Sequence, residues 1–226
     1  MTEIKIDQMV RSSRRSLSLE ITPEARLVVR APKRMREEDI RRFLEKKRGW
    51  ICAKQKLMRQ KCAEARPKAF VTGERFLYLG REYALQVVDA AQDRPLELRD
   101  RFYLSAVGTS GGRRAFIAWY REQARAYMSA RAAELAGAAG LRYTRLTLSS
   151  ARTRWGSCSP GGSLRLNWRL MMAPPEVIDY VLAHELAHLE VKNHSPRFWR
   201  RVEDLLPGYE KAAAWLRAAH HRLSVL

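Results

Sequence analysis

The sequence has few cysteines and no long apolar run, and both absences exclude whole classes of protein. Three cysteines occur among 226 residues, an odd and sparse count that argues against a disulfide framework and favours a reducing compartment. The longest uninterrupted apolar run, at 115–120, has about six residues where a membrane-spanning helix needs about twenty. The N-terminal residues also lack the apolar core of a secretory signal. The sequence therefore predicts a cytoplasmic protein with no membrane contact.

Phosphate-binding glycine motifs are also missing. No glycine is followed by lysine, which excludes the G-x-x-x-x-G-K-[ST] loop, and G-x-G-x-x-G does not occur. The run Gly108–Gly112 matches G-x-S-x-G and lies between a predicted strand and a predicted helix, as a nucleophile elbow would. Its composition is that of an ordinary flexible loop, and His220 and His221 on a solvated terminal helix are poor partners for Ser110. A serine hydrolase is therefore not favoured.

Acidic residues are scarce relative to basic ones. Lys and Arg number 43 against 24 Asp and Glu, a formal charge of +19. Residues 1–66 hold 19 basic and 9 acidic residues, which gives +10, about half of the excess. Such a charge is consistent either with a solvated basic face or with loose, salt-sensitive binding of nucleic acid. The sequence leaves both interpretations open.

Apolar periodicity predicts an α+β protein of two parts. Residues 1–66 combine alternating stretches typical of a small antiparallel sheet with a helical, basic segment from Glu37 to about Cys62, which Pro67 ends. Residues 67–226 begin with short strands between 75 and 107, and an Ala- and Arg-rich helix follows at about 113–139. A hairpin with its turn at Ser159–Gly162 precedes a helical C-terminal region.

The segment from His184 to His194 carries the strongest chemical signal. It reads H-E-x-x-H with a further histidine, and H-E-x-x-H alone is expected by chance about 0.01 times in a chain of this composition. Residues i and i+4 share one helix face, so His184 and His188 can bind one cation while Glu185 lies beside them. A catalytic zinc takes three protein ligands and keeps a fourth position for water. Glu185 would accept the proton of that water.

We assign the third ligand to His194. Ser195 suits a helix N-cap and Pro196 the first helical position, so His194 would lie just outside a helix and could fold back toward the first two histidines. Glu203 and Glu210 are the alternatives, because zinc also accepts carboxylate ligands. Zinc is the expected metal, with other divalent ions such as manganese or cobalt also compatible.

The surrounding residues resemble a known family over about residues 150–217. The resemblance rests on Arg154-Trp155-Gly156-Ser157-Cys158, Leu166-Asn167, Ile178-Asp179-Tyr180-Val181, His184 to Leu189, Asn193-His194-Ser195, Phe198-Trp199 and Trp215-Leu216. This pattern is similar to the YgjP-like metallopeptidase-type family, whose relatives are the SprT-like and WLM zincins. The resemblance implies a zincin-like catalytic domain in which His184, His188 and His194 bind the metal and Glu185 is the catalytic acid/base. Val191 stands where metzincins with this histidine spacing have Gly, which predicts a different turn.

Five further residues are candidates for contacts with the substrate. Asn167 lies on the hairpin where zincins place a substrate-pairing edge strand, and Arg154 precedes that hairpin. Tyr209 and Arg154 are candidates for the oxyanion donor, and Arg152, Arg154 and Arg165 for contacts with an anionic substrate. Cys158 is interpreted as a packed thiol.

Three functions remain open on the sequence. The first is a zinc peptidase acting on a peptide or protein. The second follows from the family resemblance, since the family name is also attached to UTP pyrophosphatase activity. The third is a nucleic-acid-binding module in which zinc is structural.

Overall fold

The computed structural model describes residues 4–22, 24–64, 68–89, 94–106, 111–151, 154–219, 222–224 and 226. The chain divides into two compact units, Met1–Arg66 and Pro67–Leu226. Both combine helices with small sheets, so the predicted α+β class is confirmed. No helix within the described ranges is both long and apolar enough to cross a bilayer.

Unit 1 is a three-stranded sheet followed by two helices. Its elements are β1 (Gln8–Ser12), β2 (Ser18–Ile21), β3 (Leu27–Pro32), α1 (Glu37–Lys46) and α2 (Arg48–Glu64). The fully buried Leu27, Val29 and Ala31 alternate along β3, and Ile40, Leu44 and Ile51 of the helices complete their core. This is the pattern expected of a strand with one buried face.

Two details of unit 1 differ from the sequence prediction. The sheet is mixed, because β2 pairs antiparallel with β3 while β1 pairs parallel with its other edge. Once β2 and β3 form a hairpin, β3 offers only its far edge to β1. The predicted single helix is two helices broken at Lys47, and Gly49 in the first turn of α2 weakens helix propagation there.

The first half of unit 2 is a four-stranded sheet and one long helix. The strands β4 (Arg75–Tyr78), β5 (Arg81–Val88), β6 (Leu96–Leu98) and β7 (Phe102–Ser105) are ordered β4-β5-β7-β6. The long helix α3 (Gly112–Ala138) contributes Phe116, Trp119 and Tyr120 to an aromatic core with Phe76 and Phe102. The Tyr120 hydroxyl donates to the Leu77 carbonyl, which joins helix and sheet.

A second sheet precedes the C-terminal helices. The strands β8 (Arg145–Ser149), β9 (Gly156–Cys158) and β10 (Ser163–Asn167) are ordered β8-β10-β9, so β9 is an edge strand. Strand β10 ends at Asn167, and Trp168–Met172 forms a buried 3-10 helix directly after it. Three helices follow, α4 (Pro175–Glu190), α5 (Pro196–Leu205) and α6 (Glu210–Ala219). The packing of α4 against β9 and α5 positions the site.

Candidate metal centre

The first two histidines lie on the last turns of α4. This helix begins at Pro175 and is buried around most of its circumference. Polar side chains on such a helix are unfavourable unless a partner satisfies them. The rings of His184 and His188 lie 5.0 Å apart, one turn from each other on the same face. The i, i+4 spacing therefore produces the predicted pair.

His194 joins them across the turn between α4 and α5. The helix α4 ends at Glu190, and Val191 takes an extended conformation that turns the chain back. The ring centre of His194 lies 5.1 Å from that of His184 and 4.8 Å from that of His188, which makes a nearly equilateral triangle. One nitrogen from each ring lies within 4.8 Å of the others. As expected, Ser195 is the N-cap of α5 and Pro196 its first residue.

This arrangement suits a tetrahedral metal ion. The Nε2 atoms of His184 and His194 are 3.2 Å apart, close to the separation of about 3.3 Å for two imidazoles on one zinc with bonds of about 2.05 Å. The Nδ1 atom of His188 lies 3.0 Å from the Val191 carbonyl. That carbonyl can only accept, so Nδ1 carries the proton and Nε2 keeps a lone pair for a metal.

Burial disfavours the protonated, positively charged form of two histidines in this site. Burial, together with the neighbouring His188 and His194, lowers the pKa of His184 to about 4. Burial also lowers the pKa of His188. Neutral imidazoles are the form that binds metal, so the protein holds these two rings ready for a cation.

Glu185 lies beside the histidines in an enclosed position. It is 5% exposed, and burial raises the pKa of its carboxyl to about 7. Its Oε2 atom and Nδ1 of His184 are two of the three buried side-chain polar atoms without a hydrogen-bond partner among the described residues. Buried polar groups are normally satisfied, so a carboxylate oxygen in this state indicates a partner other than the residues that the structure describes.

Gly156 of the edge strand β9 makes room for that carboxylate. A Cβ atom at this position would lie 2.7 Å from Cγ and 2.8 Å from Cδ of Glu185, and closer still to Oε1. Those distances are well inside van der Waals contact, so only glycine permits this approach of strand to carboxylate.

Aromatic rings pack against the three histidines. Phe198 is fully buried, and its ring centre lies 4.9, 4.5 and 4.7 Å from those of His184, His188 and His194. Trp199 stacks on His194 at 5.8 Å. Tyr209 stacks on the other side of this group at 5.7 Å from Trp199. Packing of this kind fixes the orientation of the three imidazoles.

The predicted substrate residues are placed differently from one another. Tyr209 is partly exposed and also stacks on Tyr180, 5.8 Å away. Arg154 is exposed at the approach to β9. Asn167, in contrast, is 2% exposed, and its amide donates to the carbonyls of Ala151 (2.7 Å) and Arg154 (3.3 Å). Its Oδ1 accepts from the Arg169 amide, so these polar atoms already have partners within the protein, and a substrate contact by Asn167 stays a prediction.

The remaining candidates lie away from the histidine triangle or outside the described residues. Arg165 pairs with Ser157 on the sheet face opposite to buried Leu164 and Leu166. The Glu203 side chain accepts from the Gly208 amide. Neither Glu203, Glu210 nor Cys158 belongs to the potential ligand cluster found among the described residues. Arg152, Ser110, His220 and His221 lie outside the described residues.

Sequence reasoning missed Phe198 and Gly156 as parts of the site. A glycine inside a strand is a recognised signal of close backbone approach, so Gly156 could have been identified, although not its neighbour. Phe198 follows the apolar pattern of α5, which predicts burial. Its contact with three imidazoles depends on how α5 packs against α4, which the pattern does not contain.

Comparisons with known proteins identify a family for most of the chain. The family model of the YgjP-like, metallopeptidase domain matches residues 15–219. Among solved structures, the metallopeptidase zymogen of Pyrococcus abyssi abylysin is 24% identical over 40% of this chain and 92% of that chain, with a TM-score of 0.37. No curated protein matched the sequence.

Proposed function

Because the chain belongs to the YgjP-like family of metallopeptidase domains, we propose that it is a zinc-dependent peptidase with Glu185 as its general base. Membership of the family makes it a metal-dependent hydrolase. One observation carries the finer proposal: three imidazoles converge within 4.8 Å beside a buried carboxylate that has an unsatisfied oxygen. That is the donor set of a catalytic site with an open fourth position.

The three histidines would hold the ion, and zinc is the divalent metal that this all-nitrogen donor set favours among common catalytic ions. When bound, zinc supplies Lewis acidity toward water and toward the scissile carbonyl. The chain's own contribution is to orient the rings. The Val191 carbonyl fixes the tautomer of His188, and the Phe198 ring packs against all three imidazoles.

Glu185 is placed to move a proton. Its carboxylate lies on the same helix turn as the first ligand, and Gly156 keeps the strand backbone against it without a side chain between them. It would take a proton from the attacking water and return it to the leaving amine. The exposed edge of β9 would accept an extended peptide by strand addition, with Arg154 and Tyr209 as candidate substrate contacts.

The nucleotide alternative receives less support from the geometry. Of the three arginines that could hold phosphates, Arg165 lies on the opposite sheet face and Arg152 lies outside the described residues. Arg154, at the approach to β9, is the remaining described candidate. UTP therefore serves as a second substrate in the test. The cytoplasmic location stays a prediction from the cysteine count, and a nucleic-acid contact of unit 1 is a separate proposal.

The test compares wild type with Glu185→Gln, using Glu176→Gln as the matched control because Glu176 is exposed on the first turn of the same helix. Each protein is stripped with a chelator, restored with zinc, analysed for bound metal, and assayed on a peptide library and on UTP. We expect one zinc per chain in all three proteins. Peptide cleavage should fall by about 10³-fold or more in Glu185→Gln alone.

The other results are equally decisive. Full activity of Glu185→Gln would refute its role as base. Pyrophosphate release from UTP without peptide cleavage would replace the peptidase by the nucleotide enzyme. Zinc binding with no turnover of either substrate would favour a structural metal.

A further inference from the structure

A small pocket on unit 1 combines apolar walls with an exposed indole and a lysine. Leu19 of β2, Phe43 of α1, Lys47 and Trp50 line a cavity of about 200 Å³. Trp50 is 47% exposed, although a tryptophan of a small domain is normally largely buried. Its position therefore needs a reason other than core packing, since the core of unit 1 is completed by Leu27, Val29 and the helix residues below it.

The pocket continues as a stripe along α2. Trp50, Lys54 and Leu57 are spaced i, i+4 and i+7, so they share one face of the helix, and Lys47 precedes them by three residues. Leu57 is 40% exposed. Cationic and apolar groups thus alternate over about 10 Å of helix surface.

The lysines of this stripe have no acidic partner among the residues that the structure describes. Neither Lys47 nor Lys54 forms an ion pair with a described residue, whereas Arg48, on another face, is paired with Glu45. Residues 1–66 carry an excess of ten positive charges. An anionic partner is therefore favoured electrostatically over a neutral or basic one.

We propose that this stripe binds single-stranded nucleic acid, with one base stacked on Trp50 in the pocket and phosphates along Lys47 and Lys54. Exposed aromatics beside a basic track are the means by which proteins bind unpaired bases, because every base has a face that can stack. The pocket is smaller than the roughly 300 Å³ at which sites for drug-sized ligands begin, so it suits a single ring. Bases in a duplex are stacked already and cannot enter it.

The experiment measures binding of the full chain to a fluorescent single-stranded oligonucleotide of about 12 nucleotides, and to its duplex, by anisotropy. Trp50→Ala should weaken single-strand binding by about 5- to 100-fold, with a smaller effect for Trp50→Phe, which keeps a ring. Lys54→Gln should reduce the slope of log affinity against log salt by about 0.7. Lys56→Gln is the matched control, since Lys56 is exposed on the opposite side of α2.

Several results would overturn the proposal. These are wild-type affinity in Trp50→Ala, equal effects of Lys54→Gln and Lys56→Gln, preference for the duplex, or equal binding of poly-glutamate of matched charge. If Trp50→Ala does not fold, the lysine pair and Trp50→Phe decide the question. The proposal does not depend on the peptidase activity, and these surface variants do not test that activity.

Discussion

The two units of this protein differ in where they place their polar chemistry. Among the described residues of unit 1, the buried ones are apolar and the charged ones are at least partly exposed. In unit 2 a glutamate, an asparagine and a serine are buried, and they account for the buried polar residues among those described. Burying a polar group is costly unless something satisfies it. Unit 2 therefore holds chemistry that depends on precise packing, whereas unit 1 offers chemistry that depends on surface charge.

The strongest test of this contrast replaces one buried apolar residue in each unit. Phe198→Ala should reduce the free energy of unfolding by about 3–5 kcal/mol and weaken metal binding, because its ring supports all three imidazoles. Ile51→Ala, at a site that is 1% exposed in unit 1, should destabilise by about 2–5 kcal/mol and leave metal affinity unchanged. Chemical denaturation and competition with a chromophoric chelator measure the two quantities. Loss of metal affinity in both variants would contradict the expectation that only the packing of unit 2 affects the metal site.

A pair of glycine substitutions tests how closely the unit 2 site is packed. Gly156→Ala should lower kcat by about 10²-fold or more, because the new methyl group displaces the Glu185 carboxylate. Gly161→Ala, in the turn of the same hairpin, meets no atom within 4 Å and should retain activity. Steady-state kinetics and metal analysis check both proteins. A fully active Gly156→Ala enzyme would show that Glu185 need not occupy its present position.

Ion pairs provide the mildest comparison of the units. Arg131 binds Asp179 through two hydrogen bonds of 2.8 and 3.0 Å, and the Asp179 side chain is only 13% exposed. Asp179→Asn should reduce the free energy of unfolding by about 1–3 kcal/mol. Glu20→Gln breaks an ion pair with Arg30 in unit 1, and both side chains of that pair are about half exposed. This substitution should change the free energy of unfolding by less than about 0.5 kcal/mol. Equal effects in thermal denaturation would contradict this difference.

Local patterns predicted most of the elements, and their failures have physical causes. The 3.6-residue and two-residue periods identified α3, α4 and the strands of unit 2 within a few residues. The parallel pairing of β1 with β3 was missed because strand direction depends on which sheet edge remains open, not on the sequence of either strand. The break at Lys47 was missed because the apolar stripe continues across it.

The site shows the same division between local and distant determinants. Placing His184 and His188 on one face required only the geometry of one helix turn. The hydrogen bonds of Asn167 to Ala151 and Arg154 were not predicted, because these partners come before β9 in a segment whose path the alternation of β10 does not specify. Which of His194, Glu203 and Glu210 comes close to the first two histidines depended on the direction of the turn after Val191.

The sequence by itself determined the chemistry of this protein: a histidine pair with a glutamate between them, family membership through the residues around them, and a basic N-terminal third. Those features follow from residue identity and from spacing within single elements. Only the tertiary structure decided that His194 closes the triangle, that Phe198 supports it, that Gly156 admits Glu185 and that Trp50 lies beside lysines without ion-pair partners among the described residues. These are contacts between elements, and their distances are set by packing of the whole core.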